Sequence, residues 1–363
     1  MSGAWQTSVV LYRRSLALKS GAGQLLALQA AGLASTGTPV RVAGERGRTK
    51  FLFATGRFAH AMTVERARRL THDGGCFVVD NQAAIPEAGV VFVHNLQAAL
   101  AEVRPTAVAP KVLDEERWFF DRLGPQTLLV ANSALVRAGL REHYGVETNR
   151  TVVHHPGFNI ERFAGAVNDQ SRQKSRAALG VAQDSPLIGL ITSGHLEKRG
   201  LLEFLAVATQ VRAARKDARF IVVGSRELPA DVRDHPLIKE GVVSYRPKSS
   251  RPEIFFAALD VFLYPAVYEE FGLVIAEAQA AGVPVVVSGR VGAAETLPAP
   301  YVDWGFPEPN VPSFFERTMS LLESRDLQKR LAEAGRQSVQ QLSARHYAAV
   351  TANTILDQKR RLK

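Results

Sequence analysis

Cysteine is almost absent from this chain. Cys76 stands alone in 363 residues, so no internal disulfide can form, which fits a reducing cytoplasm. Long hydrophobic runs are missing too. The apolar stretches near Leu25 and Val285 are short or interrupted by Gln, Gly or Pro, so no membrane-crossing helix is expected. The opening Met1 to Gln6 has neither a basic start nor an apolar core, so no secretory signal is expected. Zinc-ligand spacing, a recognition-helix signature and basic tracts interleaved with aromatics are all lacking, which argues against a nucleic-acid partner. No tandem repeat or low-complexity tract is present.

What remains is the composition of a soluble globular protein, 46% hydrophobic and 22% charged, at a length that suits two domains. The net charge of +10 is unevenly spread. Residues 1–70 hold eleven basic side chains, Lys19 and Arg57 among them, against only Glu45 and Glu65. Such a surface attracts phosphates or an anionic membrane face, or it is simply a solvated arginine-rich exterior.

Short apolar runs alternate with helical patterns along the chain, the rhythm of doubly wound α/β domains. In the first half, strands are expected at residues 8–12, 40–43, 76–79, 90–93 and 127–131. Residues 15–24 read as a loop and 25–34 as a helix. Asn132-Ser133 caps a helix running to Tyr144. A strand from Val152 runs into the Pro156-Gly157 break, and a polar segment from Asn168 follows. The rhythm restarts with strands at 187–191, 219–223, 261–264 and 283–288, a helix at 201–215, and a helical segment from Val311 onward. The expected division is a first domain at 1–165, a second at 166–340, and a terminal helix at 341–363.

The most informative stretch is Glu269-Glu270-Phe271-Gly272-Leu273-Val274-Ile275-Ala276-Glu277, followed by the apolar run Val283-Pro284-Val285-Val286-Val287. It reads as a loop with a carboxylate, a glycine opening a short helix, a second carboxylate on that helix, and a buried strand. A glycine there lets a phosphate approach the unpaired N–H groups of a helix N-terminus, where the dipole favours negative charge. Carboxylate oxygens suit sugar hydroxyls. As a loop residue, Glu269 is expected to support little of the core. Upstream, Ser193-Gly194-His195-Leu196-Glu197-Lys198-Arg199-Gly200 follows a strand and offers two cations. Departure of a nucleoside diphosphate develops negative charge that a fixed cation stabilises.

Together with Tyr264-Pro265 before it and Ala281-Gly282-Val283-Pro284 after it, the glutamate segment resembles the carboxylate–seven-residues–carboxylate motif of retaining glycosyltransferases of family 4. The resemblance covers most of the chain. It implies the GT-B fold, an α/β architecture of two Rossmann-like doubly wound domains facing across a cleft. It also implies donor nucleotide on the second domain, acceptor on the first, and a final helix crossing back. By the same resemblance, Glu269 orients the sugar hydroxyls, Glu277 binds the ribose, and Lys198 or Arg199 holds the diphosphate. Phe271, Gly272, Leu273 and Gly194 shape the donor site, and Arg246 lies where a loop meets the base, though a plain β-turn there fits equally. Gly21 and Gly23 resemble the family's first glycine-rich loop, and His94 ends a strand where relatives contact donor sugar or acceptor.

No Asp-x-Asp pair occurs, which argues for leaving-group stabilisation without a metal ion; the adjacent His154 and His155 point to opposite faces of a strand and make a poor metal pair. Where relatives carry Pro-Asn-Gly-Val-Asp, this chain has His155-Pro156-Gly157-Phe158-Asn159, keeping only the glycine. The expected activity is transfer of a hexose from a nucleoside diphosphate sugar, such as a UDP-sugar, to a glycan or glycolipid hydroxyl, with retention of configuration and no cofactor. The segments 15–24 and 128–163 also resemble bacterial lipopolysaccharide-core glycosyltransferases, which points to that acceptor class and to a cytoplasmic enzyme at the inner membrane face. The rival readings are a nucleotide-sugar epimerase or hydrolase and a non-catalytic basic membrane-binding module.

Overall fold

Four consecutive apolar residues, Val9–Tyr12, are all buried in the computed structural model, because the strand they form lies inside a parallel sheet with both faces covered. The structure describes residues 8–18, 20–72, 76–165, 167–224, 227–307 and 309–362. Lys19 and the Met1 to Gln6 segment lie outside them. The chain divides into two units. The first comprises Met1–Phe158 with Leu342–Lys363, and the second Asn159–Gln341. The division falls after Phe158, ahead of the boundary read from sequence at 165, and the final helical segment belongs to the first unit.

The first unit holds a seven-stranded parallel sheet built from β1 (Val9–Tyr12), β2 (Val40–Gly44), β3 (Ala59–Ala61), β4 (Phe77–Asp80), β5 (Val90–Val93), β6 (Leu128–Ala131) and β7 (Thr151–Val153). Its order is β3-β2-β1-β4-β5-β6-β7. One face packs against the helices Gly21–Ser35 and Ala344–Arg361, with Leu11, Val79 and Phe92 meeting Leu26, Leu33 and Ile355 in a single cluster. The two helices approach closely. Gly32 lies against the Ala348 carbonyl, where a Cβ would overlap it, and Gln29 Nε2 donates to the Tyr347 hydroxyl at 3.1 Å.

The second unit holds a five-stranded parallel sheet from β8 (Leu187–Ile191), β9 (Arg219–Gly224), β10 (Val243–Pro247), β11 (Val261–Tyr264) and β12 (Val285–Val287), in the order β10-β9-β8-β11-β12. Its two sheet ends differ in chemistry. At the N-terminal ends of β8 and β11, Asp260 accepts from the Leu187 N–H at 2.8 Å, Arg172 at 2.6 Å and Arg176 at 3.3 Å. Arg176 is fully buried yet paired, a structural clamp.

Several expectations are revised. The helix expected at 25–34 is Gly21–Ser35: Ser20 Oγ accepts the Gly23 N–H at 3.2 Å and starts it a turn early, inside the expected loop. Strand β7 stops at Val153 rather than running to Gly157. Tyr245-Arg246-Pro247 lies within β10, paired in register with Val222, Val223 and Gly224, so it is neither loop nor turn. Strand β3 and the helices Arg48–Thr55 and Val64–His72 appear where no element was expected.

Candidate functional site

The strand order of the second unit reverses between β8 and β11, and in open α/β sheets the crevice at such a point is where ligands bind. The loops leaving the C-terminal ends of these two neighbours carry Gly194, Lys198, Arg199, Glu269, Phe271 and Gly272 of the site residues expected from sequence. From β8 comes the segment 192–200, and from β11 the segment 265–272.

Both loops end in a left-handed glycine that opens a helix with no side-chain cap. Gly200 (φ 76°) precedes Leu201–Ala214 and Gly272 (φ 88°) precedes Leu273–Ala280. A Cβ on Gly200 would overlap the Pro265 carbonyl, so this residue lets the two loops touch. A Cβ on Gly272 would come within 3.1 Å of Glu269 Cγ and Val291 Cγ1. Gly194 performs a similar service, since a Cβ there would sit 3.2 Å from Nε and Nη2 of Arg199.

Each cation of the first loop meets a carboxylate of the second. Arg199 forms an ion pair with Glu269, and Lys198 Nζ lies 2.9 Å from Glu270 Oε2 and 3.2 Å from Oε1, above the ring of Tyr268. The choice between Lys198 and Arg199 left open by the sequence is thereby reframed, because both face this cluster. Glu269 is only 8% exposed and Glu270 3%. Glu269 is therefore not the weakly anchored loop carboxylate expected. The Tyr264 hydroxyl donates to its Oε2 at 3.2 Å, its N–H donates to the Arg290 carbonyl at 3.0 Å, and its own carbonyl accepts the Gly292 N–H at 3.0 Å. Burial pushes the Glu269 carboxyl up, with Arg199 and Lys198 pulling against that shift. Burial also works against the Arg199 charge, but the surrounding oxygens of Tyr264, Glu269 and Glu270 more than offset it and hold the guanidinium protonated.

Glu277 keeps different company. It lies on the helix Leu273–Ala280, pushed up to about 7 by burial, with the Arg162 charge opposing and Glu253 adding to the shift. Arg162 is itself bound to Glu253, with Nη2 2.7 Å and Nε 3.1 Å from Oε2, and it also donates to the Ser250 carbonyl. The two glutamates of the motif thus sit in separate electrostatic settings, one against Arg199 and one facing Arg162. Phe271 is buried and its carbonyl accepts the Ala293 N–H at 2.7 Å, while Leu273 starts the helix half-buried. Arg246 donates to the Tyr245 carbonyl at 3.0 Å on edge strand β10.

The remaining expected residues lie in the first unit. The Gly23 N–H is taken by Ser20, and a Cβ there would overlap the Ala17 carbonyl, so Gly23 serves the helix start; a Cβ on Gly21 would meet open space. His94 follows β5 and its ring stacks on Phe92 with centroids 6.4 Å apart. His154 Nε2 is bonded to Thr354 Oγ1 at 2.7 Å. Sequence reasoning missed Glu270, Tyr264 and the Arg162–Glu253 pair. The Glu269-Glu270 doublet beside Lys198-Arg199 was the available signal for the first. Arg162 and Glu253 are 91 residues apart and leave no local trace.

Residues 171–338 match the family model described as glycosyl transferases group 1. The chain is 32% identical over 178 residues to a D-inositol 3-phosphate glycosyltransferase of Paenarthrobacter aurescens (strain TC1), covering 47% of this chain and 42% of that one. It is 31% identical over 231 residues to the protein of the same name in Xylanimonas cellulosilytica, covering 57% and 52%. The chain thus spans about half the length of the curated relatives it matches, or less. Among solved structures, WaaG, a glycosyltransferase involved in lipopolysaccharide biosynthesis, superposes with a TM-score of 0.73 at 18% identity over 96% of this chain and 99% of that one. Anabaena Alr3699/HepE in complex with UDP-glucose gives 0.74 at 18% identity over 96% and 99%. At such identity these two speak for the fold. Residues 171–338 are therefore a glycosyl transferases group 1 domain, in a chain whose two parallel-sheet units have the GT-B fold.

Proposed function

We propose that the protein transfers a hexose from a nucleoside diphosphate sugar to a hydroxyl of a phosphorylated or lipid-linked glycan, with retention of configuration. The observation that carries this reading is the meeting of Lys198 and Arg199 with Glu270 and Glu269 at the β8–β11 switch point, beside the uncapped helix behind Gly272. A diphosphate is the ligand this arrangement suits. It can take hydrogen bonds from the helix N-terminus and draw Lys198 away from Glu270, exchanging a carboxylate partner for phosphate oxygens. As the glycosidic bond to the diphosphate breaks, the fixed cations and the helix dipole stabilise the developing charge without calling on a metal ion. Glu269, held by Arg199 and Tyr264, is positioned to accept from sugar hydroxyls. Glu277 suits the ribose.

Neither glutamate is assigned as a covalent nucleophile. Retention follows instead from a front-face path in which the leaving phosphate oxygen takes the acceptor's proton. The relatives named for D-inositol 3-phosphate support a phosphorylated acceptor, and the lipopolysaccharide core at the inner membrane face is the acceptor class we favour. The basic first seventy residues suit such a surface, and Phe58, 78% exposed beside Arg57, is apolar enough to enter it.

The test is binding of UDP or GDP against the matching nucleoside. Lys198→Gln keeps a hydrogen bond to Glu270 but removes the charge. It should weaken diphosphate binding roughly tenfold or more while leaving nucleoside binding and the melting temperature nearly unchanged. Equal losses for both ligands would remove the diphosphate from this site.

A further inference from the structure

Residues 39–62 carry five basic side chains against one acidic one, and that one, Glu45, is turned to Tyr12 and Arg14. The segment folds as β2, the helix Arg48–Thr55 and the edge strand β3. It forms a groove of about 440 Å³, lined from the start of β2 by Arg41 and its neighbours and from the approach to β3 by Arg57, Phe58 and His60. Small-molecule sites occupy roughly 300–1,000 Å³. Every strand pair of this sheet is parallel, so the C-terminal strand ends, where open α/β sheets bind ligands, all lie on one side. The groove lies on the other side, where β2 and β3 begin.

Register fixes what faces it. Val42 pairs with Ala59 and Ala43 with His60, so Arg41, Phe58 and His60 fall on the face opposite Val42 and Ala59, which pack into the core. Arg41 Nη1 lies 3.4 Å from His60 Nε2. A guanidinium only donates, so the imidazole accepts at Nε2 and is neutral. Burial holds the His60 pKa below its ordinary value, and the charges of Arg41 and Arg66 add to the effect. The turn into β3 is pinned. Thr55 Oγ1 donates to the Phe51 carbonyl at 2.7 Å and accepts the Arg57 N–H at 3.3 Å, and Gly56 (φ 66°) closes the helix with its N–H on the Leu52 carbonyl at 2.7 Å. Among the described residues, Arg57 makes no ion pair and no carboxylate lines the groove.

Basic groups gathered on one groove without an acid repel one another and favour an anion between them. A phosphate ester has the matching chemistry. Guanidiniums bind phosphate oxygens through charge-assisted hydrogen bonds, and the exposed ring of Phe58 offers an apolar face to the organic part. A merely solvated basic surface accounts for the arginines but not for a groove with an aromatic ring at its rim. We propose that this groove is a second ligand site, binding a small phosphate ester with its phosphate at Arg41 and Arg57 and its organic part on Phe58. The site stands apart from the glycosyltransferase reading, since no residue of the β8–β11 cluster lines it.

The experiment measures binding of phenyl phosphate, inorganic phosphate and phenol to the full chain by calorimetry. Arg41→Gln, Arg57→Gln and Phe58→Ser are compared with wild type and with Lys198→Gln, and UDP and GDP binding is followed on the same samples. Wild type should bind phenyl phosphate, inorganic phosphate more weakly, and phenol not measurably. Each arginine substitution should weaken both phosphates roughly tenfold. Phe58→Ser should weaken phenyl phosphate about threefold or more and leave inorganic phosphate unchanged. None of the three residues is buried, so melting temperature and nucleotide binding should hold. Lys198→Gln should bind phenyl phosphate as wild type does. Hydrogen exchange on wild type should show protection by phenyl phosphate at residues 39–42 and 56–60. Sedimentation with phosphatidic acid and phosphatidylcholine vesicles separates the sources: a preference for phosphatidic acid that phenyl phosphate displaces identifies a lipid headgroup, and no preference identifies a soluble ester. The proposal is overturned if phenyl phosphate does not bind wild type, if the arginine variants bind it unchanged, or if protection falls on residues 192–200 instead. It is equally overturned if phenyl and inorganic phosphate bind alike and Phe58→Ser changes neither, which would leave only a solvated basic surface. Failure of both nucleotides to bind while the groove still takes phenyl phosphate would instead count against the glycosyltransferase reading and spare this site.

Discussion

Glu277 shows how a side chain named from a motif acquires properties the motif does not contain. Its place eight residues after Glu269 was legible, as was its suitability for hydroxyls. Its titration near neutrality was not, because this depends on burial and on Arg162 and Glu253 brought from elsewhere in the chain. The sign of the consequence is definite. A ribose hydroxyl donates better to the carboxylate than to the acid, so donor binding should strengthen as pH rises through about 7 and level off above. A drop on the order of tenfold is expected between about pH 8 and about pH 6, with proton release on binding in the lower range. The same raised pKa means that the Glu277 contribution to stability is fully present below the ordinary carboxylate range and is lost as pH climbs to about 7 and above. Calorimetry in buffers of different ionisation enthalpy checks the first statement. Glu277→Gln should flatten the profile.

At the scale of elements, strands buried on both faces announced themselves as apolar runs, and ten of the twelve described strands were expected, with ends off by a residue or two except at β7, which stops four residues short. The other two, β3 (Ala-His-Ala) and β10, have no such run: both are edge strands whose place depends on a neighbour already present. The loop-to-helix junctions were legible as glycines, but not the difference between them. Gly200 is wedged against backbone, which cannot give way, whereas Gly272 abuts the movable side chains of Glu269 and Val291. Both require a left-handed conformation that costs alanine about 1 kcal/mol or more. Gly200→Ala should therefore destabilise the second unit by several kcal/mol in urea titrations, about as much as a severe overpacking defect. Gly272→Ala should cost about 1–2 kcal/mol and show its main effect in donor affinity, through displacement of Glu269. A reversed order would mean that the two junctions are not built as described.

For the whole molecule, two α/β halves were legible from the restart of the strand rhythm near Leu187. The exit point at Phe158 was not, because it is set by contacts with residues far along the chain. The Phe158 N–H donates to the Leu342 carbonyl, and its own carbonyl accepts the Ala344 N–H. The helix Ala344–Arg361 contributes Ala352 and Ile355 to the first core and its Tyr347 hydroxyl to Gln29. Truncation after Gln341 should leave the second unit able to bind the nucleotide, while the first unit loses amide protection in hydrogen exchange. Uniform protection across both units would refute this. A ribosome meets the arrangement in an awkward order: Val9 emerges early, yet the helix that shields its sheet is synthesised more than three hundred residues later. The half made first must wait, partly bare, while the contiguous half made second can already close, so this is a chain whose completion runs against the direction of translation and whose early sheet is the natural client of a chaperone.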